Sequence, residues 1–204
     1  MRRTAGLLLP LIIAALLASP SARAQDGFDA LQASAEKLEA LEPFLSRFLG
    51  RCDDPFTRRV CEQNLASARR AVAGKTFVVR VPDAATLVRA DLANGRYLLL
   101  LTPFIDGGGR ALTHGEPTGQ DAAGHPRVGL IPIKGTLPPG TMDLEFQSPF
   151  RTGAVELEIV FRPEKAWRLP RRGERGDYEG LAARFLGVRV VDGRTGTPIA
   201  TKVM

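Results

Sequence analysis

VELEIVF, residues 155–161, alternates apolar and acidic side chains. Successive side chains of a strand point to opposite faces, so this run predicts a strand with one buried face and one wet face. Similar alternation or β-branched and aromatic content predicts further strands at Thr76–Val81, Tyr97–Phe104, Val128–Ile133, Met142–Phe146, Phe185–Val191 and Pro198–Val203.

These strands follow one another without helical patterns between them. The glycines and turn formers of Asp192–Gly196 predict a hairpin that joins the last two strands. Short strands joined by turns are typical of antiparallel sandwiches and barrels. We therefore expect residues 75–204 to form an antiparallel β-sandwich of about seven or eight strands.

A different pattern precedes the strands. Apolar residues recur every three or four positions across Asp26–Leu49, which is the stripe of an amphipathic helix. Asp54 and Pro55 predict the N-cap and first position of a second helix that runs to about residue 73. The fold class expected is α+β, with a helical hairpin over residues 25–74 packed on the β-sandwich.

Two cysteines, Cys52 and Cys61, are the only ones in the chain. An exported protein with an even number of cysteines usually oxidises them. In one continuous helix their Cα atoms would lie ~13 Å apart, too far for a disulfide. The break at Asp53-Asp54-Pro55 allows the bridge to close, and free thiols are the alternative. The spacing does not resemble a redox Cys-x-x-Cys motif.

The first 24 residues have the order of a secretory signal peptide. Arg2 and Arg3 precede an apolar run from Leu7 to Leu17, and a small-residue site ends at Ala24. Cleavage there would leave a mature chain that begins at Gln25. The apolar run is too short to span a bilayer of ~30 Å, so no transmembrane anchor is expected after cleavage.

Charge and length limit the function classes. The chain has 28 Lys and Arg against 22 Asp and Glu, a net charge of +6, which falls to +3 when the leader removes three arginines. A mild positive charge favours weak attraction to anionic surfaces but does not by itself indicate nucleic-acid binding. Because the chain is expected to be exported, neither a nucleic-acid partner nor a cofactor is expected.

Both histidines of the chain lie in Asp106–Arg127, a segment without clear periodicity that we interpret as a long loop. His114 and His125 enclose Glu116 and Asp121, and imidazoles with carboxylates can bind zinc or another divalent ion. Their spacing matches no established metal motif. The alternative is a solvated loop between strands.

Basic residues are concentrated between Arg162 and Arg175, around the only tryptophan of the chain. Arginines beside an exposed aromatic ring could bind an anionic envelope surface. The candidate surface-binding residues are Arg168, Arg171, Arg172 and Trp167. The alternative is a solvated charged face with Trp167 in the core.

Leu101-Thr102-Pro103-Phe104 and the run ALTHG at residues 111–115, with the leader and paired cysteines, resemble a family of uncharacterised exported bacterial proteins. The resemblance implies that residues 25–204 form one evolutionary unit. It implies no activity and no site residue.

Two functions follow from these observations. The first is a periplasmic or extracellular non-enzymatic binding protein, whose partner is an anionic envelope component or another envelope protein. The second is a metal-dependent or hydrolytic enzyme that uses residues 106–127. The chain has no Gly-x-Ser-x-Gly or His-Glu-x-x-His motif, so we expect the first. No residue is assigned a catalytic role.

Overall fold

The computed structural model describes residues 20–82, 88–89, 96–101, 110–128, 131–136, 155–171 and 176–204. Its helices are α1 (Pro20–Ser34), α2 (Leu41–Leu49) and α3 (Arg58–Val72). Its strands are β1 (Glu36–Leu38), β2 (Phe77–Val81), β3 (Val88–Arg89), β4 (Arg96–Leu101), β5 (Arg110–His114), β6 (Pro132–Thr136), β7 (Val155–Pro170), β8 (Asp177–Asp192) and β9 (Pro198–Val203). The predicted α+β class is confirmed.

Six strands form one sheet in the order β1-β2-β7-β8, and both β5 and β9 pair with β8. Since β7 pairs along the whole of β8, β5 and β9 share the other edge of β8, end to end. The β1–β2 and β5–β8 pairs are parallel, so the sheet is mixed and the prediction of a purely antiparallel one is wrong. Strands β3, β4 and β6 form a second, antiparallel sheet.

Most predicted strands are confirmed within a few residues, and β7 and β8 extend further than their alternating cores. The predicted hairpin between the last two strands is present, with the Asp192 carboxylate accepting the backbone N–H of Arg194. The predicted strand at Met142–Phe146 lies outside the described residues. The sandwich and its number of strands stay predictions.

The predicted helix over Asp26–Leu49 is wrong as a single element. The chain leaves α1 after Ser34 and forms β1, whose Glu36 N–H donates to the Thr76 carbonyl at 2.9 Å. The break has a packing reason. Phe28 of α1 packs with Val78 and Val160 on one face of the sheet, whereas α2 packs on the opposite face. One straight helix could not cover both faces.

The main core lies between α2 and the six-stranded sheet. Phe44 stands 5.1 Å from Phe77 and 5.9 Å from Phe161, measured between ring centroids. Leu45 and Phe48 of the same helix are buried beside them. This packing fixes the carboxyl end of α2, capped at Gly50, near the first half of β8, where charged side chains collect.

A disulfide joins Cys52 and Cys61, whose Cα atoms are 5.6 Å apart, as predicted. Residues 55–57 form a turn that brings the two cysteines together. Because the chain turns there, α3 begins at Arg58, three residues after the start that the sequence predicts at Pro55. Of the predicted leader, residues 20–24 form the start of α1 and the rest lies outside the described residues. Among the helices described, none is long and apolar enough to cross a membrane.

Candidate binding site

The segment predicted as a loop at residues 106–127 contains a strand. Residues 106–109 lie outside the described ranges, and Arg110–His114 forms β5 beside β8. A bridge between Gln120 and Pro126 then orders the rest of the segment. The expectation of an irregular loop missed β5 because its partner strand is more than sixty residues away in sequence.

The candidate metal ligands of this segment make separate contacts. The Phe185 N–H donates to His114 Nδ1 at 3.2 Å, and the Glu116 carboxylate pairs with Lys165 Nζ at 3.0 Å. Within the described ranges, no group of three or more His, Cys, Asp or Glu side chains could hold a metal ion. Metal binding by His114, Glu116, Asp121 and His125 stays a prediction that zinc titration tests.

Asp121 and His125 close one tight turn. The Asp121 carboxylate accepts the His125 N–H at 2.8 Å, and it lies 3.6 Å from His125 Nδ1. The backbone hydrogen bond from His125 is the main reason why the pKa of Asp121 is below its ordinary value. The His125 ring meets Tyr178 edge-on, 6.1 Å between centroids. These contacts order the turn against β8.

Trp167 is buried, with 6% of its surface exposed, so it is not the exposed aromatic ring of the surface-binding prediction but the core residue of the alternative. Its indole Nε1–H donates to Thr113 Oγ1 at 3.0 Å. The ring covers Gly180 of β8, where a side chain would collide with it. Side chains alternate along β7, and this alternation directs the Trp167 ring over Gly180. The ring has room there because Gly180, its partner on β8, has no Cβ.

The arginines of the predicted surface-binding group are partly engaged within the protein. Arg168 donates to the Leu49 carbonyl at 3.0 Å, and the guanidinium of Arg171 lies over Tyr178, 4.7 Å from the ring centroid. Arg172 lies outside the described residues. Arg168 therefore caps the carboxyl end of α2, where a positive charge is favourable.

Glu179, a buried carboxylate, organises this end of the sheet. Arg51, Arg110 and Arg168 place guanidinium nitrogens 3.4, 2.9 and 3.5 Å from its oxygens. The hydrogen bonds of Glu179 and then Glu42 raise the pKa of Arg110. No local pattern marks Glu179 as important, because its partners come from three distant segments.

Beside this cluster, an open cleft of about 440 Å³ lies between α3 and β7. The residues that line it are Gly50, Cys52, Glu62, Leu65, Arg69, Ala166, Trp167 and Arg168. The disulfide fixes one end of α3 at the cleft, and Gly50, which caps α2, lines it as well. Three distant parts of the chain therefore meet there.

Arg69 gives the cleft its positive character. Its Nε donates to the Phe48 carbonyl at 3.1 Å, and its guanidinium lies 5.4 Å from the centroid of the Phe48 ring. In the part of the chain that the structure describes, no carboxylate pairs with Arg69. Burial, and then the charge of Arg168, lower the pKa of Arg69, so two guanidinium groups repel each other across the cleft.

Comparison with known proteins identifies a family for this chain. The family whose model matches residues 1–203 is described as "Family of unknown function (DUF6066)". No curated protein and no solved structure matches the chain. The resemblance to an uncharacterised family is thereby confirmed, whereas export and bacterial origin stay predictions.

Proposed function

Because the chain belongs to the DUF6066 family, whose function is unknown, we propose a function from the cleft itself. The protein is an exported, non-enzymatic binding protein that holds an anionic envelope component between α3 and β7. The ligand class is a phosphate- or carboxylate-bearing molecule. Arg69 and Arg168 are its binding residues.

The observation that carries this proposal is the pair of guanidinium groups on one cleft. The negative charges near them are Glu62, which lines the same cleft, and Glu179, which pairs with Arg168. Arg69 keeps an uncompensated charge that burial and Arg168 both make unfavourable. An anion between the two guanidinium groups would relieve that repulsion and form charge-assisted hydrogen bonds.

Placement of the histidines favours binding over catalysis. A hydrolytic or metal-dependent site should gather His114, His125 and a carboxylate in one pocket. His114 accepts a backbone hydrogen bond at β8, His125 contacts Tyr178, and neither lines the cleft. The residues that the cleft does present are suited to holding an anion.

Export is supported by two features of the chain. The leader pattern ends at Ala24, and the disulfide between Cys52 and Cys61 is typical of proteins that mature in an oxidising compartment. Mass spectrometry of protein recovered from the envelope fraction should give a chain that begins at Gln25. Recovery of cytoplasmic protein that retains Met1 would contradict export.

The β-sandwich belongs to this proposal as well. Its support is that Ile133 of β6 and Ala200 of β9 share one hydrophobic cluster, which indicates contact between the two sheets. A sandwich of this kind would leave its edges and the α3 side open to a partner.

The binding test uses exported protein with its disulfide formed. Isothermal titration with inorganic pyrophosphate and with citrate separates phosphate from carboxylate ligands. We expect at least one of them to bind, and we expect Arg69→Gln to weaken that binding about tenfold, since it removes a charge-assisted hydrogen bond. Arg70→Gln is the matched control, because Arg70 is the exposed neighbour on the outer side of α3. No heat with either anion, or equal affinity in the Arg69→Gln variant, would overturn the proposal.

A further inference from the structure

Two apolar side chains stand in solvent where α3 begins. Phe56 is 98% exposed and Val60 is 60% exposed, the two highest values among the large apolar residues described. Phe56 lies in the turn just before α3, and Val60 lies in the first turn of that helix. A phenylalanine with almost its whole surface in water is unfavourable for a free protein. Phe56 therefore needs an explanation other than core packing.

The turn that carries Phe56 is held in place. The disulfide between Cys52 and Cys61 closes the segment around it. The Asp54 carboxylate accepts the Phe56 N–H at 3.0 Å and the Thr57 hydroxyl at 2.8 Å. Phe56 is thus presented by a braced turn, which limits the entropy that binding through this ring would cost.

The outer side of α3 is open. No residue of α3 is fully buried. Its half-buried residues recur every three or four positions and so lie on the side that faces the protein; they are Cys61, Leu65, Ala68, Arg69 and Val72. Exposed positions such as Arg59, Val60, Gln63, Ser67 and Arg70 lie on the other side. The apolar pair therefore continues into a polar, basic helix surface.

Arginines and carboxylates both lie close to the apolar pair in sequence. Arg58 and Arg59 are exposed and occupy the first turn of α3, which has no acidic residue. Cations at the amino end of a helix oppose its dipole, so helix stability does not account for them. Glu62 lines the cleft, the carboxylate of Asp54 bonds within the turn, and Asp53 is exposed just before it.

We propose that residues 54–60, the turn and the first residues of α3, dock the protein on an anionic lipid bilayer. Phe56 and Val60 enter the interfacial region, and Arg58 and Arg59 bind lipid phosphates. Arg58, Arg59 and Arg70 outnumber the two carboxylates that precede them, so charge complementarity selects an anionic surface. Two side chains offer far less than the ~800 Å² per partner of a stable protein interface, whereas a bilayer adapts to a small apolar projection. This surface is separate from the anion cleft and goes beyond the proposed function.

The test is sedimentation of the disulfide-bonded protein with phosphatidylcholine vesicles, with and without phosphatidylglycerol. We expect binding only when phosphatidylglycerol is present. We expect Phe56→Ala to weaken it about tenfold, and the double variant Arg58→Gln, Arg59→Gln to weaken it tenfold or more. Met204→Ala and Arg184→Gln remove an exposed apolar residue and an exposed arginine elsewhere, and they should bind like the wild type.

Depth is measured with Phe56→Trp and brominated lipids. The inserted indole should be quenched, whereas Trp167 of the wild type is buried and should not be. Absence of vesicle binding, equal binding of the Phe56→Ala variant, or bound Phe56→Trp without quenching would overturn the inference. Vesicle binding that is lost in Arg69→Gln and kept in Phe56→Ala would also overturn the inference. It would show that the vesicles bind through the cleft between α3 and β7. If neither anion binds the cleft but vesicle binding still depends on Phe56, the proposed function of the cleft is contradicted and the docking inference stands.

Discussion

Trp167 and Thr113 form a buried pair, in which the indole N–H donates to Oγ1 at 3.0 Å and the Thr113 hydroxyl donates to the Gly115 carbonyl at 2.7 Å. The pair joins β7 to β5 across β8. The indole N–H and the Thr113 hydroxyl each have a hydrogen-bond acceptor in this buried site.

Thr113→Val should lower the free energy of unfolding by about 1–3 kcal/mol, because it keeps the side-chain shape and leaves the indole N–H without its acceptor. Urea denaturation followed by Trp167 fluorescence measures the change. Thr118→Val, at an exposed position, is the control and should change stability much less. Equal effects of the two variants would show that the buried hydrogen bond is unimportant.

Gly180→Ala should destabilise the protein by roughly 1–3 kcal/mol, because the new Cβ would overlap the Trp167 ring and lie 2.8 Å from the Ala111 carbonyl. Thermal denaturation measures the loss. Trp167→Phe in the same chain should restore part of it by making room. Gly50→Ala is the control, since its Cβ would make only ordinary contacts at 3.6 Å or more. If Gly180→Ala were neutral, the close packing would be contradicted.

Removal of the disulfide by Cys52→Ser with Cys61→Ser should cost roughly 2–3 kcal/mol, since the closed loop is short. The measurement is urea denaturation with and without reductant. The wild type should lose stability when reduced, and the double variant should not respond. A reductant effect on the double variant would point to a cause other than this bond.

Glu179→Gln should destabilise the protein by about 1–3 kcal/mol, because the buried acceptor of three arginines loses its charge. Glu116→Gln removes a carboxylate whose partner, Lys165, is largely exposed, and it should cost less than about 1 kcal/mol. Chemical denaturation of both variants checks the contrast. Similar losses would mean that burial at Glu179 does not strengthen its ion pairs.

The pKa of Asp54 should be below its ordinary value because the Phe56 N–H, and then the Thr57 hydroxyl, donate to its carboxylate. A lowered carboxyl pKa contributes stability above the unfolded value of about 3.9, and that contribution is lost as the pH falls through the lower folded pKa. NMR titration of the carboxyl carbon measures the midpoint. Thr57→Val should move it upward, and an unchanged midpoint would contradict the role of the hydroxyl.

Much of the fold could be predicted from short-range pattern. Alternation located β2 and β7, turn residues located the β8–β9 hairpin, and the break after Cys52 allowed the disulfide. The extent of β7 and the strand β5 were missed. Both depend on β8, whose hydrogen bonds extend strand structure into residues that lack alternation.

The candidate site could be predicted less well. Arg168 was identified from local charge, but Arg69 and Glu179 were not, because their importance comes from neighbours in other segments. Trp167 was placed on a surface by its basic neighbours, and the structure buries it over Gly180. Phe56 has no sequence signal, since a phenylalanine near a helix start is ordinarily core.

Sequence alone determined the α+β class, the main strand positions and the cysteine pair, because side-chain periodicity and turn chemistry act between residues close in the chain. Tertiary structure decided that the amino-terminal helical stripe splits to cover both faces of the sheet, that β5 lies parallel to β8, and that Arg69 and Arg168 share a cleft. Those features depend on contacts between distant segments, and such contacts are selected by the packing of the whole fold rather than by local pattern.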